Sequence, residues 1–152
     1  MGSEHQGEEF KGVNEAMRET KFRAWLKQER KMREVSGFFF SQVMFISAQE
    51  KATQYTINSV PETQVELMSF TGLKDRYGKD IYEGDILRGY HALISLAPVY
   101  QVVWNKDRWD VMDSHDRTYD RKYRWESPSW NDLEIIGNLY ENPELMKEST
   151  NG

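Results

Sequence analysis

Asp107, Asp110, Asp113 and Asp116, with His115 among them, form the densest group of ligand-type residues in the chain, and carboxylates in such number suit a hard divalent cation. Their spacing argues against that chemistry. Trp109 to Asp113 reads as a strand, in which successive side chains alternate faces, so Asp110 and Asp113 point to opposite sides and do not share an ion. Asp75-Arg76-Tyr77-Gly78 lacks the ligand pattern and closing Glu of a calcium loop. Ser114-His115-Asp116 sets the three residue types of a nucleophilic triad side by side, but triad partners converge from separated elements, and three loop neighbours do not form the required line. His91 has no such partners nearby, and Walker A, dinucleotide-binding and HExxH patterns are absent. No metal ligand, cofactor site or catalytic residue is assigned, and an enzyme is not expected. The strongest binding candidate is the strip Arg117-Thr118-Tyr119-Asp120-Arg121-Lys122-Tyr123-Arg124-Trp125, with four basic residues, one acid and three interleaved aromatics. Such a strip can neutralise phosphates and stack bases. It can equally pack its rings under a sheet while Arg and Lys stems lie over it. A net charge of −5 favours the second reading. Arg117, Tyr119, Arg121, Lys122, Tyr123, Arg124, Trp125 and Trp130 are therefore expected to serve a protein partner, with single-stranded nucleic acid or RNA as the alternative. Lys21, Arg23, Lys27, Arg30, Lys31 and Arg33 form a second basic run that would support the alternative if it lay beside the first.

These residues need a frame, and 152 residues suffice for one core. The absence of cysteine excludes disulfides, thiolate catalysis and Cys-ligated metals. The longest apolar stretches, Phe38–Phe40 and Val43–Ile46, are too short to span a bilayer, and the first residues are acidic and polar instead of signal-like. A cytoplasmic protein without membrane contact is the expectation, as a monomer or weak homodimer. Residues 1–16 are rich in Glu and Gly with few large apolar groups, and are expected to be a flexible tail, as are 147–152.

From Lys21 onward the texture is that of short strands. Phe22 and Ala24 alternate with Lys21, Arg23 and Trp25. Leu26 to Arg33 is charged and rich in helix formers, so it is either a hairpin turn or one short helix. Phe38 to Ser47 reads as one buried strand, Ala48 to Glu62 as a polar connection, and Val65 to Phe70 as another strand. Gly72, Gly78 and Gly84 mark turns, with Asp75 and Asp85 able to bond neighbouring backbone N–H groups. Val99–Trp104 and Trp109–Asp113 form the clearest hairpin, across Asn105 to Arg108. Leu133–Tyr140 is the last strand, broken at Asn142-Pro143, after which the chain is a frayed end or one turn of helix. The fold class is mainly β with minor helix, a small barrel or roll with an N-terminal β extension. The expected core is Phe22, Phe39, Ile81, Ile86, Val102, Trp104, Val111, Ile135 and Leu139.

Three blocks carry a resemblance. Lys21-Phe22-Arg23-Ala24-Trp25, the long stretch from Phe70 to Ile86 (FTGLKDRYGKDIYEGDI) and Ile136 to Leu145 (IGNLYENPEL) closely resemble, in order, the signature blocks of the YopX family of bacteriophage and prophage proteins. The resemblance spans roughly residues 17–146. It implies a phage or prophage origin, an SH3-like barrel over about 66–142, a phage or host protein as partner, and no assigned enzymatic activity. It supplies no catalytic residue. Gly72, Asp75, Gly78, Tyr82, Glu83, Gly84, Asp85, Gly137 and Asn138 are the motif positions, for which turn and strand geometry is a sufficient explanation. One departure is Leu26 after Trp25, where members often carry an acidic or amide turn residue. The stretches between the blocks, Ala48 to Gln64 and Tyr90 to Asp132, are where specificity particular to this chain is expected.

Overall fold

The computed structural model describes residues 19–48, 55–89, 98–113 and 129–147. Among the described residues eleven strands lie in three antiparallel sheets, and the only helices are short 3-10 turns. The chain is mainly β, as its turn density and β-branched and aromatic runs require. No helix among the described residues is long and apolar enough to cross a membrane.

The first sheet has the order β2-β1-β6-β7, from β1 (Phe22–Leu26), β2 (Lys31–Glu34), β6 (Val65–Lys74) and β7 (Asp80–Tyr82). Residues 26–34 are thus a hairpin turn into β2 and not a helix; Arg30 takes φ +52 and its N–H reaches Leu26 O at 2.8 Å. The sheet is covered on both sides. Ala24, Leu26 and Val65 share one face by register and pack with Val43 and Phe45 into the first core. Arg23 and Met68, paired across β1 and β6, look the other way. The second sheet has the order β3-β4-β5, from β3 (Gly37–Phe39), β4 (Gln42–Ala48) and β5 (Tyr55–Pro61).

Here two expectations are corrected. Phe38 to Ser47 is not one strand, because the chain reverses at Phe40-Ser41, with Phe40 at φ +52, and β3 pairs back on β4. Ala48 to Glu62 is not only a polar connection, since Tyr55–Pro61 pairs along the length of β4 from Gln42↔Pro61 to Ala48↔Tyr55. The reversal at Phe40-Ser41 is not marked by glycine, and β5 is the strand that follows β4 in the chain, pairing with it from Ala48↔Tyr55 onward.

The third sheet, β10-β9-β8-β11, is built from β8 (Asp85–Arg88), β9 (Val99–Asn105), β10 (Arg108–Asp113) and β11 (Glu134–Asn138). It curls over the second core of Ile81, Leu87, Val102 and Leu133, against which Leu73, Tyr100, Trp109, Val111, Trp130 and Ile135 pack. β6 ties the two cores together: it pairs with β1 at one end and with β7 at the other, its register shifting between Phe70 and Lys74 around Gly72. The result is a curled, half-barrel sheet with an N-terminal β extension.

Of the expected core, Ile81, Ile86 and Val102 are fully buried, while Phe22, Val111, Ile135 and Leu139 are half-buried. Phe39 and Trp104 are exposed. Phe39 lies on the outer face of a sheet covered on its other side, and Trp104 sits two residues beyond Val102 toward the tip of the β9–β10 hairpin.

Candidate functional site

Acidic and amide residues of the middle and last sequence blocks bond within the fold, two of them to the cations of the first block. Asp85, 1% exposed at the start of β8, accepts the N–H of Tyr82 at 2.8 Å and pairs with the Arg23 guanidinium from β1, which also lies over the Tyr82 ring. Burial pushes the Asp85 carboxyl above the ordinary carboxylate range, while Arg23 and the Tyr82 N–H pull against it. Asp80 is the opposite case: hydrogen bonds from Lys21 and Lys74 hold its carboxyl below the ordinary range. Asp75, 5% exposed, accepts Tyr77 N and Lys79 N at 2.9 Å and Ile135 N at 3.2 Å, so one carboxylate pins its own turn and β11 together; Gly78 completes that turn at φ +77.

Glu83 and Gly84 form the turn between β7 and β8. Glu83 N bonds Ser69 O, and Gly84, at φ +77 with Met68 and Tyr140 against it, bonds Val102 O through its N–H and takes Leu139 N on its carbonyl. Asn138 accepts Tyr140 N and Glu141 N on its side-chain oxygen and donates to Glu141 Oε2. A Cβ at Gly137 would stand 2.5 Å from Asn142 Oδ1 and 2.9 Å from its Cβ, so any side chain there would have to displace that of Asn142. Tyr140 stacks on Trp25 at 6.0 Å between centroids. First, middle and last blocks therefore meet in one joint between β1, the β7–β8 turn and the end of β11.

The basic run of the N-terminal hairpin is largely spoken for. Lys21 pairs with Asp80 at 2.6 Å, Arg23 with Asp85 and Lys27 with Glu66 at 2.8 Å, while Arg33 bonds Ser47 and lies over the Phe45 ring. Arg117, Tyr119, Arg121, Lys122, Tyr123, Arg124 and Trp125, together with His91, Ser114, His115 and Asp116, lie outside the described residues. Trp130 opens a 3-10 turn and packs against the second core. Among the described residues no three His, Asp or Glu side chains are placed to share a metal ion; Asp110 bonds within its own hairpin, to Val111 N and Asn105 Nδ2.

What the sequence reading missed is an apolar surface. Val43 and Phe45 face the first core, so alternation turns Met44 and Ile46 outward, and the register adds Phe39 opposite Gln42 and Ile57 opposite Ile46. Phe39 is 64%, Ile46 52% and Ile57 60% exposed, and Phe40, at the reversal beside Phe39, is 91% exposed. Phe39 and Phe40 meet edge to face at 4.6 Å. None of the residues of β3, β4 and β5 is Asp, Glu, Lys or Arg, in a chain in which 30% are. That gap in charge was the available signal. A buried strand gives the same signal, which is why composition alone did not separate the two.

Comparison with known proteins follows the same three blocks. The family described as "YopX protein" matches residues 21–147, most of the chain and all three parts of the joint. The chain belongs to the YopX family. No curated protein matches it. Among solved structures, this YopX protein is similar to the crystal structure of protein EF1440 from Enterococcus faecalis, at 23% identity and a TM-score of 0.55, over 84% of this chain and 98% of that one. That likeness is one of fold.

Proposed function

We propose that this YopX protein is a phage- or prophage-encoded, non-enzymatic module that binds protein in the cytoplasm of its bacterial host, docking through the outer face of β3, β4 and β5. The observation that carries the reading is the exposure, on one uncharged sheet, of two apolar pairs, Phe39 with Phe40 and Ile46 with Ile57. Large contiguous apolar patches are uncommon on soluble monomers and mark interaction sites. Protein interfaces are depleted of charge at their centres and enriched in aromatic residues, as this face is. The bonding of the signature residues also supports a binding role over a chemical one, because Asp75, Asp85 and Asn138 spend their acceptors on the chain's own backbone. The nucleic-acid alternative loses support from the hairpin, where Lys21, Arg23 and Lys27 are each offset by a carboxylate.

The test is capture from lysate of the bacterial host, with and without nuclease, using the full chain and a Phe39→Ser/Ile46→Thr variant as baits. Specific proteins retained after nuclease and lost in the variant are the expected result. Material that disappears with nuclease, or is held equally by both baits, refutes the reading.

A further inference from the structure

We propose that the occupant of the uncharged face of β3, β4 and β5 is a second copy of the same chain, in an isologous dimer. The inference rests on the reading of that face as a protein interface and names its partner. Charge is the first argument. The chain carries 25 acidic against 20 basic residues, so two copies repel over most approaches. The strands of this sheet contain no charged residue, and a two-fold contact there sets no like charges against each other. A charged heterologous partner would find no complementary charge to meet on these strands.

The second argument is a missing safeguard. Natural sheets guard their edge strands against their own copies with charged residues, Lys above all, and β3 and β5, the edges of this sheet, carry none. This sheet presents Phe39, Ile46 and Ile57 with no such residue among them, and displays Phe40 at 91% exposure in a left-handed conformation, φ +52, that costs an aromatic residue energy. Area sets the scale. With about 200 Å² for each fully exposed large side chain, the four residues leave about 500 Å² of apolar surface per copy. Two copies together bury at most about 1,000 Å², at the lower bound of specific interfaces, the size of a reversible dimer.

Sedimentation velocity of the full chain across a micromolar concentration series tests this. The mass should climb from 18.0 kDa toward twice that value and stop there. Ile46→Lys and Ile57→Lys, at positions paired across β4 and β5, should each weaken the dimer about tenfold or more, with the melting temperature of the dilute monomer unchanged. Phe40→Gly separates association from folding: glycine accepts positive φ, so the monomer melts at the same or a higher temperature while the dimer weakens. A wild-type chain that stays at 18.0 kDa throughout, a larger closed ring, or Lys variants that dimerise as well as wild type overturns the inference. If the wild type is monomeric but the Phe39→Ser/Ile46→Thr bait still loses a captured protein, the docking reading stands and only the second copy is wrong.

Discussion

Replacing Arg23 by Met removes one charge from the joint while keeping most of the side-chain stem, and the structure fixes what is left behind. Asp85 is 1% exposed and retains only the Tyr82 N–H as a partner. Removing one member of a buried ion pair costs about 3–5 kcal/mol. Arg23 keeps 15% of its side chain in solvent, so the low end applies, about 3 kcal/mol at pH 7. For a domain of this length that is a fall in melting temperature of about 10 °C.

The loss should depend on pH in a definite direction. Burial already raises the Asp85 carboxyl, and without the guanidinium it rises further. A carboxyl whose folded pKa exceeds its unfolded value contributes stability that is complete below the unfolded pKa and is lost as pH rises through the folded one. Arg23→Met should therefore be less impaired near pH 5 than at pH 7, and Arg23→Met/Asp85→Asn should lose that dependence. Urea unfolding followed by Trp fluorescence measures both, provided the m-value is unchanged. A loss below about 1 kcal/mol at pH 7, or one that grows on acidification, refutes the account of the joint.

Asp75→Ala strips acceptors from Tyr77 N, Lys79 N and Ile135 N at once and should cost about 2–4 kcal/mol, with faster amide exchange at Lys79 and Ile135; unchanged exchange at Ile135 would show that the carboxylate does not hold β11. Asp80 titrates below its ordinary value, so its contribution is present above that value and is lost as pH falls through the lowered one. Wild type should lose more stability than Asp80→Asn between pH 5 and pH 2, and parallel pH profiles would contradict the Lys21 and Lys74 bonds.

Local chemistry made much of the fold legible. Asp75 through Gly78 and Glu83-Gly84 read as turns because side-chain acceptors and positive φ act over a few residues, and the β9–β10 hairpin followed from two alternating runs close in sequence. The reversal at Phe40-Ser41 did not, since a phenylalanine at φ +52 has no local reason to be there. It comes with the two-residue connection by which β3 turns back on β4, a turn that takes positive φ.

By itself the sequence determined the β class, the exclusion of thiol chemistry, the three family blocks and the turns inside them, all properties of residue type and short-range spacing. Only tertiary structure decided that those blocks converge, through Arg23 on Asp85 and Trp25 on Tyr140, and which face of β3, β4 and β5 meets water. An uncharged run of β-forming residues is equally good as a core strand or as an outward face. The choice is made by which side finds Ala24, Leu26 and Val65 to pack against, and that partner lies in a different strand for a reason no window of sequence contains.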